Sequence, residues 1–188
     1  MRKKIVIGFS IALNTIFCVN AQTPVLVKDI FPGNSGSDPR ELTSIGNTLF
    51  FSADDSIYGR ELWKSTGTSN STVLVKDISP GTLSGFERTT FPQFLTNMNG
   101  ILYFGAREWQ FGDELWKSDG TESGTVMIKD IVVGEPWDRS LPRYLTVMDN
   151  TLYFSAYTNT YGTELWKSDG TESGTILVKD LQTGGSPF

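Results

Sequence analysis

Short apolar runs recur along the chain, separated by polar punctuation at regular intervals. LFFSA (49–53), LYFGA (102–106) and LYFSA (152–156) form one set, and VLVKDI (73–78), VMIKDI (126–131) and ILVKDL (176–181) another. Both sets are rich in the aromatic and β-branched types that fit a pleated, packed surface. No stretch of a dozen residues repeats its apolar positions with a helical period. Gly46-Asn47, Asn99-Gly100 and Asp149-Asn150 stand just before the runs of the first set, where residues that tolerate positive φ suit tight hairpins. The pattern predicts a four-stranded antiparallel meander of about 50 residues. Its third copy has strand a at 144–148, strand b at 152–156, a Tyr-Gly bend, strand c at 164–168, a DGTESG turn and strand d at 176–180.

The unit is repeated almost verbatim. ELWKSDGTESGT occurs unchanged at 114–125 and 164–175, and a diverged copy, ELWKSTGTSNST, occupies 61–72. The spacings between the ELW triplets are 53 and 50 residues. Runs that are apolar at consecutive positions imply strands covered on both faces. Four strands per unit of this length match the blades of a β-propeller, whereas β-helix repeats are much shorter. The expected fold is therefore all-β, with three complete blades at 40–78, 92–131 and 142–181. A further VLVKDI at 25–30 reads as an orphan strand d, and 182–188 as the start of a truncated further repeat. Three blades fall short of the roughly four to eight that close a ring. The array is thus expected to need further blades, or another copy of the chain, to close.

The motif Glu114-Leu115-Trp116-Lys117-Ser118-Asp119-Gly120-Thr121, found again at 164–171, resembles the ELWxxDGT repeat, and the likeness extends over essentially all of the chain beyond the leader. The resemblance implies an exported bacterial protein, of a kind common in Bacteroidetes, with a propeller-like repeat array. Many such proteins carry a carboxy-terminal sorting domain; none is expected within residues 22–188. No activity is established for the repeat. The first copy departs from the motif, with Thr66 in place of its Asp.

The amino terminus changes which residues count. Arg2, Lys3 and Lys4 precede a mostly apolar run from Ile5 to Val19, and Val19-Asn20-Ala21 supplies the small residues of a cleavage site before Gln22. About fifteen residues is short of the ~20 that span a bilayer. Residues 1–21 are read as a signal peptide, and the product as secreted or displayed at the cell surface. Taking the leader's three basic residues from the chain's 16 leaves 13 against 21 acidic ones, a formal charge of −8. That balance argues against nucleic acid or an anionic membrane as partner. The only cysteine, Cys18, leaves with the leader, so packing and backbone hydrogen bonds must hold the fold.

Trp63, Trp116 and Trp166 recur at one repeat position and are expected to pack blade on blade. The recurrent Glu61, Glu114 and Glu164 are expected to make a shared structural hydrogen bond or ion pair. Asp119 and Asp169 open the c–d turns, where a carboxylate can accept backbone N–H groups. Calcium is the rival reading for these oxygen-rich loops, but Thr66 removes the carboxylate from the first. No other cofactor is expected. In a propeller meander the b–c and d–a connections share one rim, and there the repeats diverge. Phe86, Arg107, Glu108, Trp109, Trp137, Asp138 and Arg139 fall in these variable stretches and are the candidate ligand-binding residues for a protein or glycan. The alternative is that these aromatics only plug the loops.

There is no histidine, no GxSxG, no GxGxxG after a strand and no P-loop. No catalytic residue is assigned. The expected role is a non-enzymatic binding module. A structural spacer array and a carboxylate-based glycan hydrolase or lyase are the alternatives.

Overall fold

A computed structural model describes residues 23–83, 86–134 and 138–181. The expected leader, Trp137 and the expected further repeat at 182–188 lie outside the described residues. The fold is all-β. Blade 1 comprises β1 (Arg40–Ile45), β2 (Thr48–Asp54), β3 (Arg60–Ser65) and β4 (Val73–Lys76). A two-residue hairpin, β5 (Thr82–Leu83) and β6 (Phe86–Glu87), lies in the connection that follows. Blade 2 comprises β7 (Gln93–Met98), β8 (Ile101–Glu108), β9 (Gly112–Ser118) and β10 (Val126–Lys129). Blade 3 comprises β11 (Arg143–Met148), β12 (Thr151–Thr158), β13 (Gly162–Ser168) and β14 (Ile176–Lys179). Each is a four-stranded antiparallel sheet in sequence order, and none of the three is closed into a barrel. These are propeller-type blades in an incomplete ring.

The b and c strands run longer towards their shared bend than the apolar pattern predicts, since β12 and β13 pair as far as Thr158 and Gly162. The a–b hairpins turn on two residues. Asn99 and Gly100 both have positive φ, as do Asp149 and Asn150, the geometry of a turn whose twist matches the strands. Every strand a begins with a register shift after a proline. The residues before Pro39, Pro92 and Pro142 (Asp38, Phe91 and Leu141) have φ of 44°, 47° and 49°. That common backbone turns each d–a connection into the next blade.

Blades pack face on face. Phe50, Leu62, Val75 and Ile78 of blade 1 meet Leu102, Phe104, Ala106 and Trp116 of blade 2. Tyr103, Leu115 and Ile128 of blade 2 meet Leu152, Phe154, Ala156 and Trp166 of blade 3. All three repeat tryptophans are buried, each directly opposite the phenylalanine of its neighbouring b strand: Phe51–Trp63, Phe104–Trp116 and Phe154–Trp166.

Residues 25–30, read from the sequence as a strand, form none. A strand needs a ladder, and no a-b-c set lies beside this segment to supply one. It is instead pinned at two points. The Lys28 ammonium donates to the Thr72 carbonyl at 2.8 Å, and Ile30 packs on a cluster of Phe51, Ala53 and Trp63.

Candidate functional site

The rim formed by the b–c bends and the d–a connections is built from the repeat outward. The glutamates of the first two ELW triplets, each opposite a small alanine, are its anchors. The Glu61 Oε2 accepts hydrogen bonds from the Ile78 amide (3.3 Å) and the Thr90 hydroxyl (2.8 Å). The Glu114 Oε2 accepts from the Ile131 amide (3.1 Å) and the Ser140 hydroxyl (2.8 Å). Each glutamate thus ties both ends of a d–a connection to strand c. The Thr90 and Ser140 carbonyls in turn accept the amides of Arg107 (2.8 Å) and Tyr157 (2.7 Å) in strand b of the next blade. Burial pushes the Glu61 carboxyl up to about 9 and that of Glu114 to about 8, because the charged form is desolvated and no cation compensates.

Glycines let the connections close on the bends. Gly112 has φ of +77°, and a β-carbon there would collide with the Asp138 carbonyl. Gly59, with φ of +71°, would bring a β-carbon tight against the Arg88 carbonyl and Thr89, at 3.1 and 3.2 Å. The tips beyond are held by a different side chain in each blade. The Asp55 carboxylate accepts the amides of Ile57 and Tyr58, that of Glu108 accepts the Gln110 amide, and the Thr158 hydroxyl accepts the Tyr161 amide.

The rim residues singled out from the sequence fall into two groups. Trp109 is half-buried, its amide donates to the Ser79 hydroxyl at 3.2 Å, and the Arg88 guanidinium lies 5.5 Å from its ring centroid, within cation–π range. Arg107 makes two hydrogen bonds to the Asp113 Oδ2, at 3.2 and 3.0 Å, and Arg139 approaches the same oxygen at 3.7 Å. Glu108 is spent on its own bend. Asp138 packs against Gly112 through its backbone. Phe86 falls on β6. Two partners escaped the sequence reading: Asp113, which joins Arg107 to Arg139, and Arg88, which covers Trp109. Asp113 directly precedes ELW, where the other copies have Arg60 and Thr163, and that non-repeating position was the available signal.

The rim also gathers chemistry by type. Every arginine from residue 23 onward lies on it: 40, 60, 88, 107, 139 and 143. Asp38 takes two of them, Arg40 at 2.7 Å and Arg60 at 3.0 Å, and the hydrogen bond from Arg40 holds its carboxyl below the usual range. Among the described residues, the aromatic side chains left largely exposed are Tyr58, Phe91, Phe111, Tyr144 and Tyr161, all on this rim. A cavity among them, beside Asp113 and Arg143, is small, about 50 Å³, room for little more than water. There the surface is a platform rather than a pocket.

The opposite rim is uniform. The Asp119 and Asp169 carboxylates accept the amides of Thr121 and Thr171 (2.8 and 2.9 Å) and their hydroxyls. These bonds hold both carboxyls below the usual range. In the first copy, which has Thr66 instead, the Ser71 hydroxyl accepts the amides of Thr66 and Thr68 (3.1 and 3.2 Å). Among the described residues no group of three or more histidine, cysteine or acidic side chains converges to hold a metal.

Fold and rim define the class: an all-β array of propeller-type blades with a scaffold repeated from blade to blade and one edge, aromatic- and arginine-bearing, that differs between them. No protein-family model matches this chain, and no curated protein matches it.

Proposed function

We propose that the chain is a secreted or surface-displayed, non-enzymatic binding module whose b–c and d–a rim engages a glycan or protein partner. The gathering on that one rim of the aromatics that are largely exposed among the described residues, and of every arginine from residue 23 onward, carries this reading. Aromatic faces and guanidinium groups on a rigid scaffold are the usual equipment of recognition surfaces. The equivalent tyrosine and phenylalanine of the three bends (Tyr58, Phe111 and Tyr161) give the platform a repeated aromatic contact, suited to an extended ligand. The likeness of the units to ELWxxDGT repeats supports the same reading, as does the apolar leader expected at residues 1–21. A glycan array and a panel of cell-surface proteins test it. Binding should be lost in the Tyr58→Ala/Phe111→Ala/Tyr161→Ala triple variant and weakened in Trp109→Ala and Trp137→Ala. It should persist in Asp169→Asn, on the opposite rim. Retention of all binding by the triple variant would overturn the proposal.

A further inference from the structure

The two junctions between blades are built by one code. The lysine of strand c donates to the glycine carbonyl in the next blade's c–d turn: Lys64 to Gly120 at 2.7 Å and Lys117 to Gly170 at 2.8 Å. The lysine of strand d donates to the threonine carbonyl just before the next blade's strand d: Lys76 to Thr125 at 2.9 Å and Lys129 to Thr175 at 3.0 Å. The ELW glutamate accepts from the hydroxyl that precedes the next blade's proline, as Glu61 does from Thr90 and Glu114 from Ser140. Between these bonds lie the apolar faces already described.

Each end of the array holds half of a third such junction. At blade 3, Glu164, Lys167 and Lys179 hold the coding positions, and none bonds to a neighbour among the described residues. Beside them Leu165 is 44% exposed, whereas its equivalents Leu62 and Leu115 are 0% exposed. Val178 is 43% exposed against 6% and 7% for Val75 and Ile128. At blade 1, Ser37 precedes Pro39 as Thr90 precedes Pro92, and its carbonyl already accepts the Asp54 amide at 2.9 Å. Among the described residues its hydroxyl has no glutamate partner. Gly67 stands where Gly120 and Gly170 accept their lysines. The face beside them opens as a groove of about 750 Å³ floored by Leu49 and Phe51 and walled by Leu26, Val27 and Ile30.

We infer that this groove takes the blade 3 face of a second copy of the chain, so that copies join head to tail through a third junction of the same design. Glu164 of one copy then accepts from the Ser37 hydroxyl of the other, and Lys167 donates to the Gly67 carbonyl. The segment ILVKDL (176–181) of the incoming copy takes the place of VLVKDI (25–30). Lys179 replaces Lys28 on the Thr72 carbonyl, and Leu181 replaces Ile30 on the Phe51–Trp63 cluster. The arm yields because it has no strand pairing to lose and leaves Val25 and Leu26 about four-fifths exposed. The described blades of two copies number six, within the roughly four to eight that close a ring. The interface is heterologous, and it closes only if both of its ends are used.

Sedimentation equilibrium on the full chain tests this with two substitutions at exposed positions, one on each half of the junction: Leu165→Arg and Ser44→Arg. The unaltered chain should be a dimer at about 10 μM, a concentration at which a standard interface holds. Either variant alone should be a monomer with an unchanged circular dichroism spectrum. An equimolar mixture of the two should recover a one-to-one dimer through the single junction that remains intact. A monomeric unaltered chain, which would leave the groove to some other occupant, overturns the proposal. So do variants that each assemble like the unaltered chain, or a mixture that stays monomeric while the unaltered chain dimerises.

Discussion

The Asp119 carboxylate occupies the space that a β-carbon on Gly124 would fill, and Asp169 stands in the same relation to Gly174. In the first blade both partners differ together. Thr66 replaces the aspartate and Ser71 the glycine, and the Ser71 hydroxyl takes over the bonds to the turn. The acid and the glycine are therefore one choice, and the threonine and serine another. Gly124→Ser should destabilise the chain by about 1–3 kcal/mol through overpacking against the carboxylate. Asp119→Thr alone should cost about 0.5–2 kcal/mol by removing a turn-fixing acceptor. The double variant, which recreates the first blade's turn, should recover most of the loss. A double-mutant cycle in urea reads the coupling directly.

Glu61 latches both ends of the following d–a connection to strand c. Glu61→Ala would leave the Ile78 amide without its acceptor and the Thr90 hydroxyl with only the Arg60 carbonyl, 3.2 Å away, and it would open a void beside Ala53. The expected cost is about 2–4 kcal/mol. Glu61→Gln keeps the shape and an acceptor oxygen and should cost far less. Because Thr90 couples blade 1 to blade 2, hydrogen exchange in Glu61→Ala should speed up across the 78–92 connection before it does so in β8. Uniform acceleration throughout the chain would instead mark Glu61 as an ordinary core residue.

The same two carboxyls make the fold sensitive to pH. Burial raises Glu61 to about 9 and Glu114 to about 8, from an ordinary value of 4.5. A group whose folded value is raised binds its proton more tightly in the folded state. Its contribution is complete below pH 4.5 and is lost as pH rises towards the folded value. The melting temperature should therefore fall from pH 5 to pH 9, with most of the slope removed in Glu61→Gln/Glu114→Gln. A flat profile in the unaltered chain over that range would show that these carboxyls titrate normally.

The four-stranded meander of each unit and its turn residues were legible because the repeat states them several times, and Asn99-Gly100 names its own hairpin. What the pattern could not supply was context. LYFGA and LYFSA are nearly the same string. Yet β8 is buried at five consecutive positions from Leu102 to Ala106, while β12 alternates between buried and half-buried. The difference is the neighbour: blade 2 is covered on both faces, blade 3 on one. The same blindness made 25–30 a strand in the sequence reading, since VLVKDI has a strand's composition and only a missing ladder keeps it from being one. On the rim, Trp109 and Arg107 stood out because they do not repeat. Their partners Arg88 and Asp113 became visible only once the fold brought the d–a connection over the b–c bend.

That contrast between neighbours can be measured at one repeat position. Leu62, Leu115 and Leu165 occupy the same place in ELW, and sequence alone gives no reason to rank them. Leu115 is sealed between blades 2 and 3, so Leu115→Ala should cost about 2–5 kcal/mol, the range for a leucine whose void cannot collapse. Leu62→Ala should fall in the same range, as its surroundings in the first junction are equivalent. Leu165 keeps 44% of its surface in water, so Leu165→Ala should cost about 1 kcal/mol or less when the chain is dilute enough to be monomeric. Urea unfolding of the three variants at low protein concentration makes the comparison. Raising the concentration should then penalise Leu165→Ala selectively, because only that leucine is completed by a second copy. Equal costs at every concentration would mean that the blade 3 face is already covered within the chain.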